Sequence, residues 1–515
     1  MSNEEVKKNL WRNSISNYGC MVVKLALSLA MFRMLYQSLS KEEFGFWSLL
    51  WSVFGYGILL DFGFGFTAEK RVAELSAIGD WDKLSRVLSS IALLYVGVGA
   101  VIVIGCWAGS RQLIEFFHVS APNRENFRLL LIVFFGGMGL TFPLGIFPGM
   151  LVGQQRIALE NTIFLCAMIG NFLGVWAAVH FHWGLGALVV IGLLAGILPC
   201  VVCAWYALRS MPVRLHPSLF SFDIVRETTE FSVFAYVITV SNILMAKTGQ
   251  VIISAALSVA AVAIYQAGAK VGEMFSAFAQ LLPSSFSPVA AHLHAKGDTS
   301  FLRELLVNGS RLTIMIATPV YLISAFYMAG LLRILTGGHA SQETFWIGEV
   351  LLFWGYICVA TQSVTKRIFV MCGHERKLMW LTLVEAGLNL GLGIALTMSL
   401  HAVIGVALGA LASSFVVGWG FLWPWAAREA RMSGWRLAQT VLLPVWLACA
   451  PLLLFLVCIR NFPMFDFRGS SPLFVCESLL AFAVAATCVW RRALTDAERQ
   501  HLAGKFGGMF ARPAV

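Results

Sequence analysis

Four cationic side chains, Lys24, Arg33, Lys247 and Lys270, stand inside long apolar stretches of the sequence. An ionisable group deep in an apolar medium costs roughly 2.5–3.5 kcal/mol even on the most lenient scale, so it faces protein or water and marks a functional position. Buried lysines suit an anion, and an ammonium meets a phosphate as a point charge. Helical spacing sorts the polar residues into three stripes. Asn13, Asn17, Lys24 and Ser28 share one face, and Tyr236, Thr239, Lys247, Gln250 and Ser254 share another. The third is Gln266, Lys270, Glu273, Gln280 and Ser284, in which Lys270 and Glu273 lie one turn apart and either neutralise each other or serve a site. Arg33 falls about half a turn away from Lys24 at roughly 100° per residue. It either serves the site or snorkels to the outer surface.

Carboxylates supply a second chemistry. Asp61, in Leu59-Leu-Asp-Phe-Gly-Phe-Gly65, either carries a coupling ion, pairs with a lysine or caps an irregular turn. Glu273 is the other candidate for ion coupling. Glu349 and Glu385 fall near the ends of their apolar stretches and read as weaker candidates, with Lys366 and Arg367 as interfacial charges. The His180/His182 and His292/His294 pairs offer two ligands each, short of a metal site. No catalytic constellation, metal or cofactor is expected beyond a proton or sodium gradient. Lysines at depth with long apolar walls fit a diphosphate head and a lipid tail, a pattern that by itself does not separate a lipid-linked sugar from a drug.

Those side chains need a scaffold, and the composition names it. Of 515 residues, 58% are hydrophobic and 12% charged, and the mean hydropathy is +0.78. Soluble domains run at roughly 45–50% apolar and about 25% charged. The chain is therefore a polytopic membrane protein. Backbone satisfaction in lipid leaves helices or closed barrels, and the apolar runs are continuous over about 20 residues, the helical length. About fourteen spans are expected, near 14–38, 46–68, 88–109, 129–151, 159–179, 185–207, 231–256, 263–290, 310–331, 346–370, 379–398, 402–424, 441–459 and 472–490. The net charge of +10 reflects Lys and Arg gathered on one set of loops, so both termini are expected in the cytoplasm. No basic patch with interleaved aromatics points to nucleic acid. The eleven Cys fall mostly in apolar runs, and Cys200-x-x-Cys203 reads as buried free thiols.

The sequence also repeats. Ala73–Leu88 aligns with Ala291–Leu306, Gly153-Gln-Gln-Arg156 with Gly373-His-Glu-Arg376, and Gly184-Leu-Gly-Ala187 with Ile404-Gly-Val-Ala407. Each pair holds the same position in its half, which gives two six-helix repeats in one orientation and two extra C-terminal helices. The expected divisions are an N-lobe at 1–222, a C-lobe at 223–428, accessory spans at 429–490 and a basic cytoplasmic tail at 491–515. Parallel lobes of this kind bind a substrate between them near the midplane and expose it to alternate sides.

Glu43-Phe-Gly-Phe-Trp-Ser48, Leu60-Asp-Phe-Gly-Phe-Gly65, Ala73–Asp80, Tyr265-Gln-Ala-Gly-Ala-Lys270 and Cys372-Gly-His-Glu-Arg376, in this order and spacing, make the whole chain resemble the polysaccharide flippases. These are the O-antigen and exopolysaccharide repeat-unit translocases of the multidrug/oligosaccharidyl-lipid/polysaccharide exporter superfamily. The resemblance implies a V-shaped pair of lobes, alternating access and transfer of undecaprenyl-diphosphate-linked oligosaccharide across the bacterial inner membrane, coupled to protons or sodium. It implies a cationic cavity, matched here by helix position at Lys24, Lys247 and Lys270. Membrane lipids, a polysaccharide polymerase and a chain-length regulator are the partners it suggests, and a lipid-tail groove is implied for spans 13 and 14. Alternatives are a multidrug or cation antiporter of the same superfamily, a lipid II flippase, and an enzyme of the glycosyl polymerase or ligase type, for which the loops are short.

Overall fold

The computed structural model describes residues 23–55, 64–154, 156–222, 233–280, 299–461 and 471–488, together with 283, 286 and 290. Every regular element among them is a helix. After α1 (23–38) come α2 (Lys41–Gly55), α3 (Phe64–Ile78), α4 (Trp81–Phe116), α5 (Arg124–Leu144), α6 (Ile146–Gly153), α7 (Ile157–His180) and α8 (Gly184–Ser210). Next are α9 (Val233–Ala256), α10 (Val259–Ala279), α11 (Thr299–Phe326), α12 (Met328–Thr336), α13 (Gln342–Cys358) and α14 (Val364–Met371). The chain ends with α15 (Glu375–Leu400), α16 (Ile404–Val417), α17 (Trp423–Glu429), α18 (Gly434–Val441), α19 (Leu443–Asn461) and α20 (Ser471–Cys488).

Helices stand at each of the fourteen expected stretches. Nine of the described helices are long and apolar enough to cross a membrane, or ten if the α18–α19 pair, bent by 43°, is one span. The expected count of fourteen is therefore not reached among the described residues.

Local chemistry sets the helix ends. Ser40 and Glu43 form a reciprocal capping box at α2: the Ser40 N–H donates to Glu43 Oε2 at 2.9 Å, and the Glu43 N–H donates to Ser40 Oγ at 3.2 Å. Gly79, with φ +74°, makes the left-handed turn before α4, whose first turn donates from the Lys83 N–H to Asp80 Oδ1 at 3.0 Å. Gly153 and Gly373 align in the repeat yet do different work. Gly373 has φ +78°, whereas a Cβ on Gly153 would lie 2.6 Å from the Glu69 carbonyl oxygen.

Three spans are interrupted, and a fourth holds a proline without breaking. Pro143 ends α5 at Leu144, and α6 follows after Gly145, the break that the prolines of this stretch predict. Pro199 lies inside α8. In the second repeat, π-turns replace proline: Val359–Ser363 joins α13 to α14, and Gly418–Leu422 joins α16 to α17. Similarly, α10 stops at Ala279, ahead of Pro283; Pro288 lies outside the described residues.

Two compact units emerge. The first is Met1–Gln266 with Leu335–Gly337 and Ile394–Val406; the second is Ala267–Ile334, Gly338–Gly393 and Ala407–Val515. By contacts, α9 groups with the first unit. A Cβ on Gly45 would meet the Val259 carbonyl oxygen at 2.0 Å, and Ser52 Oγ donates to the Lys247 carbonyl at 2.9 Å. Elsewhere in this unit α4 meets α5 backbone to backbone at Gly99 and Gly139. In the second unit, α19 and α20 pack against α11. There the Tyr327 hydroxyl, at the α11–α12 break, donates to Glu477 Oε1 of α20 at 2.7 Å, and both side chains are buried.

Candidate binding and coupling residues

Lys24 lies half-buried on α1, with Ser28 one turn on, and Glu160 of α7 is within its electrostatic reach. Arg33 is exposed. Asn13, Asn17, Asp61 and Ser284 lie outside the described residues.

On α9, Lys247 is half-buried near the middle of the helix. Its aliphatic stem lies across Gly55 of α2, where a Cβ would come within 3.2 Å of the lysine Cε. No carboxylate among the described residues lies within ion-pair distance of its ammonium. Tyr236 is half-buried and Thr239 exposed. Gln250 is buried, and its Nε2 donates to Gln266 Oε1 at 2.6 Å, so two residues from separate predicted stripes meet. The Gln250 Oε1 has no hydrogen-bond partner among the described residues.

The remaining stripe residues are occupied locally. Lys270 Nζ lies 3.6 Å from Glu273 Oε2, one turn along the same helix, so the self-neutralising alternative describes this pair. Gln280 Oε1 accepts from Arg367 Nη2 at 3.4 Å. Among the described residues no group of His, Cys, Asp and Glu could hold a metal, and Cys200 and Cys203 are buried free thiols.

A further polar cluster, which the spacing did not predict, joins three spans of the second unit. Lys366 Nζ of α14 lies 2.8 Å from Glu385 Oε2 of α15. Glu385 Oε1 accepts from Gln362 Nε2 at 2.8 Å and from Ser414 Oγ at 2.7 Å. Gln362 Nε2 also approaches the Ser414 carbonyl at 3.3 Å, and Trp354 Nε1 donates to Ser414 Oγ at 2.9 Å. The Glu385 side chain is 1% exposed and that of Lys366 17%. Lys366 and Glu385 are thus not interfacial or terminal charges. Helix α15 begins at Glu375, which puts Glu385 about 15 Å along it at about 1.5 Å per residue. Simple hairpin register gives no signal for this pair, since Lys366 and Glu385 sit at unequal distances from the turn at Gly373.

The fold is like that of solved transporters of the multidrug/oligosaccharidyl-lipid/polysaccharide exporter (MOP) superfamily. The lipid II flippase MurJ, in an inward closed conformation, matches with a TM-score of 0.70 at 13% identity, over 93% of this chain and 98% of that one. An inward-facing multidrug resistance MATE family transporter matches at 0.67 and 16% identity, over 81% and 96%. A MOP superfamily transporter from Pyrococcus furiosus, whose reversed binding-pocket polarity suggests a different function, matches at 0.56 and 16%, over 82% and 96%. The particular family follows from sequence: residues 34–339 match the polysaccharide biosynthesis protein model, and the chain belongs to that family. No curated protein matches it by sequence.

Proposed function

We propose that this protein is a transporter that flips undecaprenyl-diphosphate-linked oligosaccharide repeat units across the bacterial inner membrane, by ion-coupled alternating access. The family membership supports a role in polysaccharide assembly, and the fold it shares with a lipid II flippase and a multidrug transporter supports transport rather than catalysis. One observation carries the choice of cargo. Lys247 is a mid-helix lysine whose stem lies across Gly55, with no described carboxylate to neutralise its ammonium. A positive group of this kind in an apolar surround favours an anionic head such as a diphosphate. Lys24 and the Gln250–Gln266 pair add polar groups to the same unit. In this reading the O-antigen or exopolysaccharide class of repeat unit is the cargo, both termini are cytoplasmic, and a polymerase and chain-length regulator act downstream.

The test is a lipid extract, analysed by mass spectrometry, from a host strain lacking the protein. Accumulation of an undecaprenyl-diphosphate oligosaccharide, reversed by the wild-type chain but not by Lys247→Ala at equal protein level, is the expected result. A strain that accumulates nothing and becomes sensitive to cationic drugs would instead support the antiporter reading, which the likeness to a multidrug transporter favours.

A further inference from the structure

The buried cluster around Glu385 is ionic where packing alone asks for nothing ionic. In the register that aligns Gly153 with Gly373 and Arg156 with Arg376, Lys366 corresponds to Ile146 and Glu385 to Leu165. The first repeat therefore builds the same hairpin with two apolar residues, and Ile146 there is fully buried. Replacing a buried ion pair by apolar residues is often neutral or stabilising, so stability does not explain why the second repeat keeps the pair. A π-turn adjoins the cluster on each flanking span: Gln362 lies within one, and Ser414 stands one turn before the other. Such turns are frequent where a helix serves a function. The two π-turns also touch, because a Cβ on Gly418 would collide with Thr361 Oγ1.

From this geometry we infer that Glu385 is the proton-carrying group of the protein, with Lys366 as its tethered counter-ion. The inference rests on the transport reading above and specifies its coupling ion. With the pair closed, the carboxylate and ammonium cancel. When the α14 segment withdraws from α15, Glu385 is left as a lone charge in an apolar interior, and a proton from water forms an O–H bond on its carboxylate. Lys366 keeps its own proton throughout and carries its charge to the solvent-accessible side from which it is already partly reached. Re-closure returns the proton. Gln362 and Ser414 hold the carboxyl group in position in both forms.

The other ionisable groups around the pair are few. The Cys358 thiol lies beside both Glu385 and Lys366, and Arg367 is turned to Gln280. On α11, which packs against α14 and its π-turn, the charged residues are Arg303, Glu304 and Arg311, and Arg303 donates to the Glu429 carbonyl at 3.1 Å. Glu375, Arg376 and Lys377 open α15 itself, while Arg428 and Glu429 close α17 beyond the second π-turn.

The experiment uses the full chain in phosphatidylethanolamine–phosphatidylglycerol vesicles without cargo, read by infrared difference spectra between mildly acidic and mildly alkaline buffer. A carboxylic-acid band should appear in the wild type on acidification, be lost in Glu385→Gln, and already be present in alkaline buffer in Lys366→Met. Identical difference spectra for wild type and Glu385→Gln would overturn the proposal. The double variant Lys366→Ile with Glu385→Leu, copied from the first repeat, guards against misfolding. It should melt like the wild type yet lose the protonophore-sensitive part of oligosaccharide-lipid clearance in cells; full retention of that part also overturns the proposal. A wild type that shows the Glu385 band but clears no oligosaccharide-lipid would overturn the transport reading instead.

Discussion

Glu42 illustrates how a single charged residue can organise a membrane-edge turn. Its carboxylate accepts from the Ser120 N–H and Ser120 Oγ, both at 2.8 Å, and from Asn123 Nδ2 at 2.7 Å. Partial burial pushes its carboxyl upward, but those three donors outweigh burial and hold it below the usual glutamate range. A lowered value in the folded state means that the contribution is present above the unfolded glutamate range and is lost as pH falls through the folded value. Protection of the Ser120 amide, measured against its intrinsic exchange rate, should therefore fall in acid in the wild type. It should be low and pH-independent in Glu42→Ala. Residues such as Lys247 and Gln250 were legible from helical spacing because periodicity reports a shared face. The Lys366–Glu385 pair was not, because periodicity within one helix says nothing about which residue of the next helix stands opposite.

At the scale of elements, glycine spacing decides how closely helices approach. A Cβ on Gly99 of α4 would lie 2.3 Å from the Gly139 carbonyl oxygen, a backbone atom that cannot swing away, whereas Gly97 opens on empty space. Gly99→Ala should destabilise the protein by about 1–3 kcal/mol. Gly97→Ala should leave it unchanged or up to about 1 kcal/mol more stable. Thermal melting of the two purified variants checks the contrast, and equal melting temperatures would contradict it. The helices themselves were legible, since long apolar runs leave no alternative in lipid. Their interruptions were only half so. Pro143 announces the α5–α6 break, but nothing in Val359–Ser363 or Gly418–Leu422 carries a comparable signal, because a π-turn arises from the extra residue that packing and side-chain bonding accommodate.

For the molecule as a whole, the uneven distribution of Lys and Arg predicts that both ends of the chain face the cytoplasm. A fluorescent protein that matures only in the cytoplasm should glow when fused after Val515. An alkaline phosphatase inserted in the 117–123 connection between α4 and α5 should be active, and the opposite pattern would invert the topology. The duplication was readable from short loop motifs, yet it did not foresee that α9, the first helix of the second repeat, would group by contact with the first unit. Grouping by contact records which surfaces fit, and Gly55, across which the Lys247 stem lies, provides that fit for α9.

The interruption of one span recurs at a matching level in the other half of the chain. In the register that pairs Gly153 with Gly373, Pro143 falls at Ser363, the last residue of the first π-turn, and Pro199 falls at Trp419, inside the second. One span in each half thus breaks at a corresponding level, at Pro143 and at Ser363, while the proline at Pro199 lies inside an unbroken α8. The joint at Leu144 and the joint at Ser363 stand at one level and are made by different chemistry, a proline in one half and a widened turn in the other.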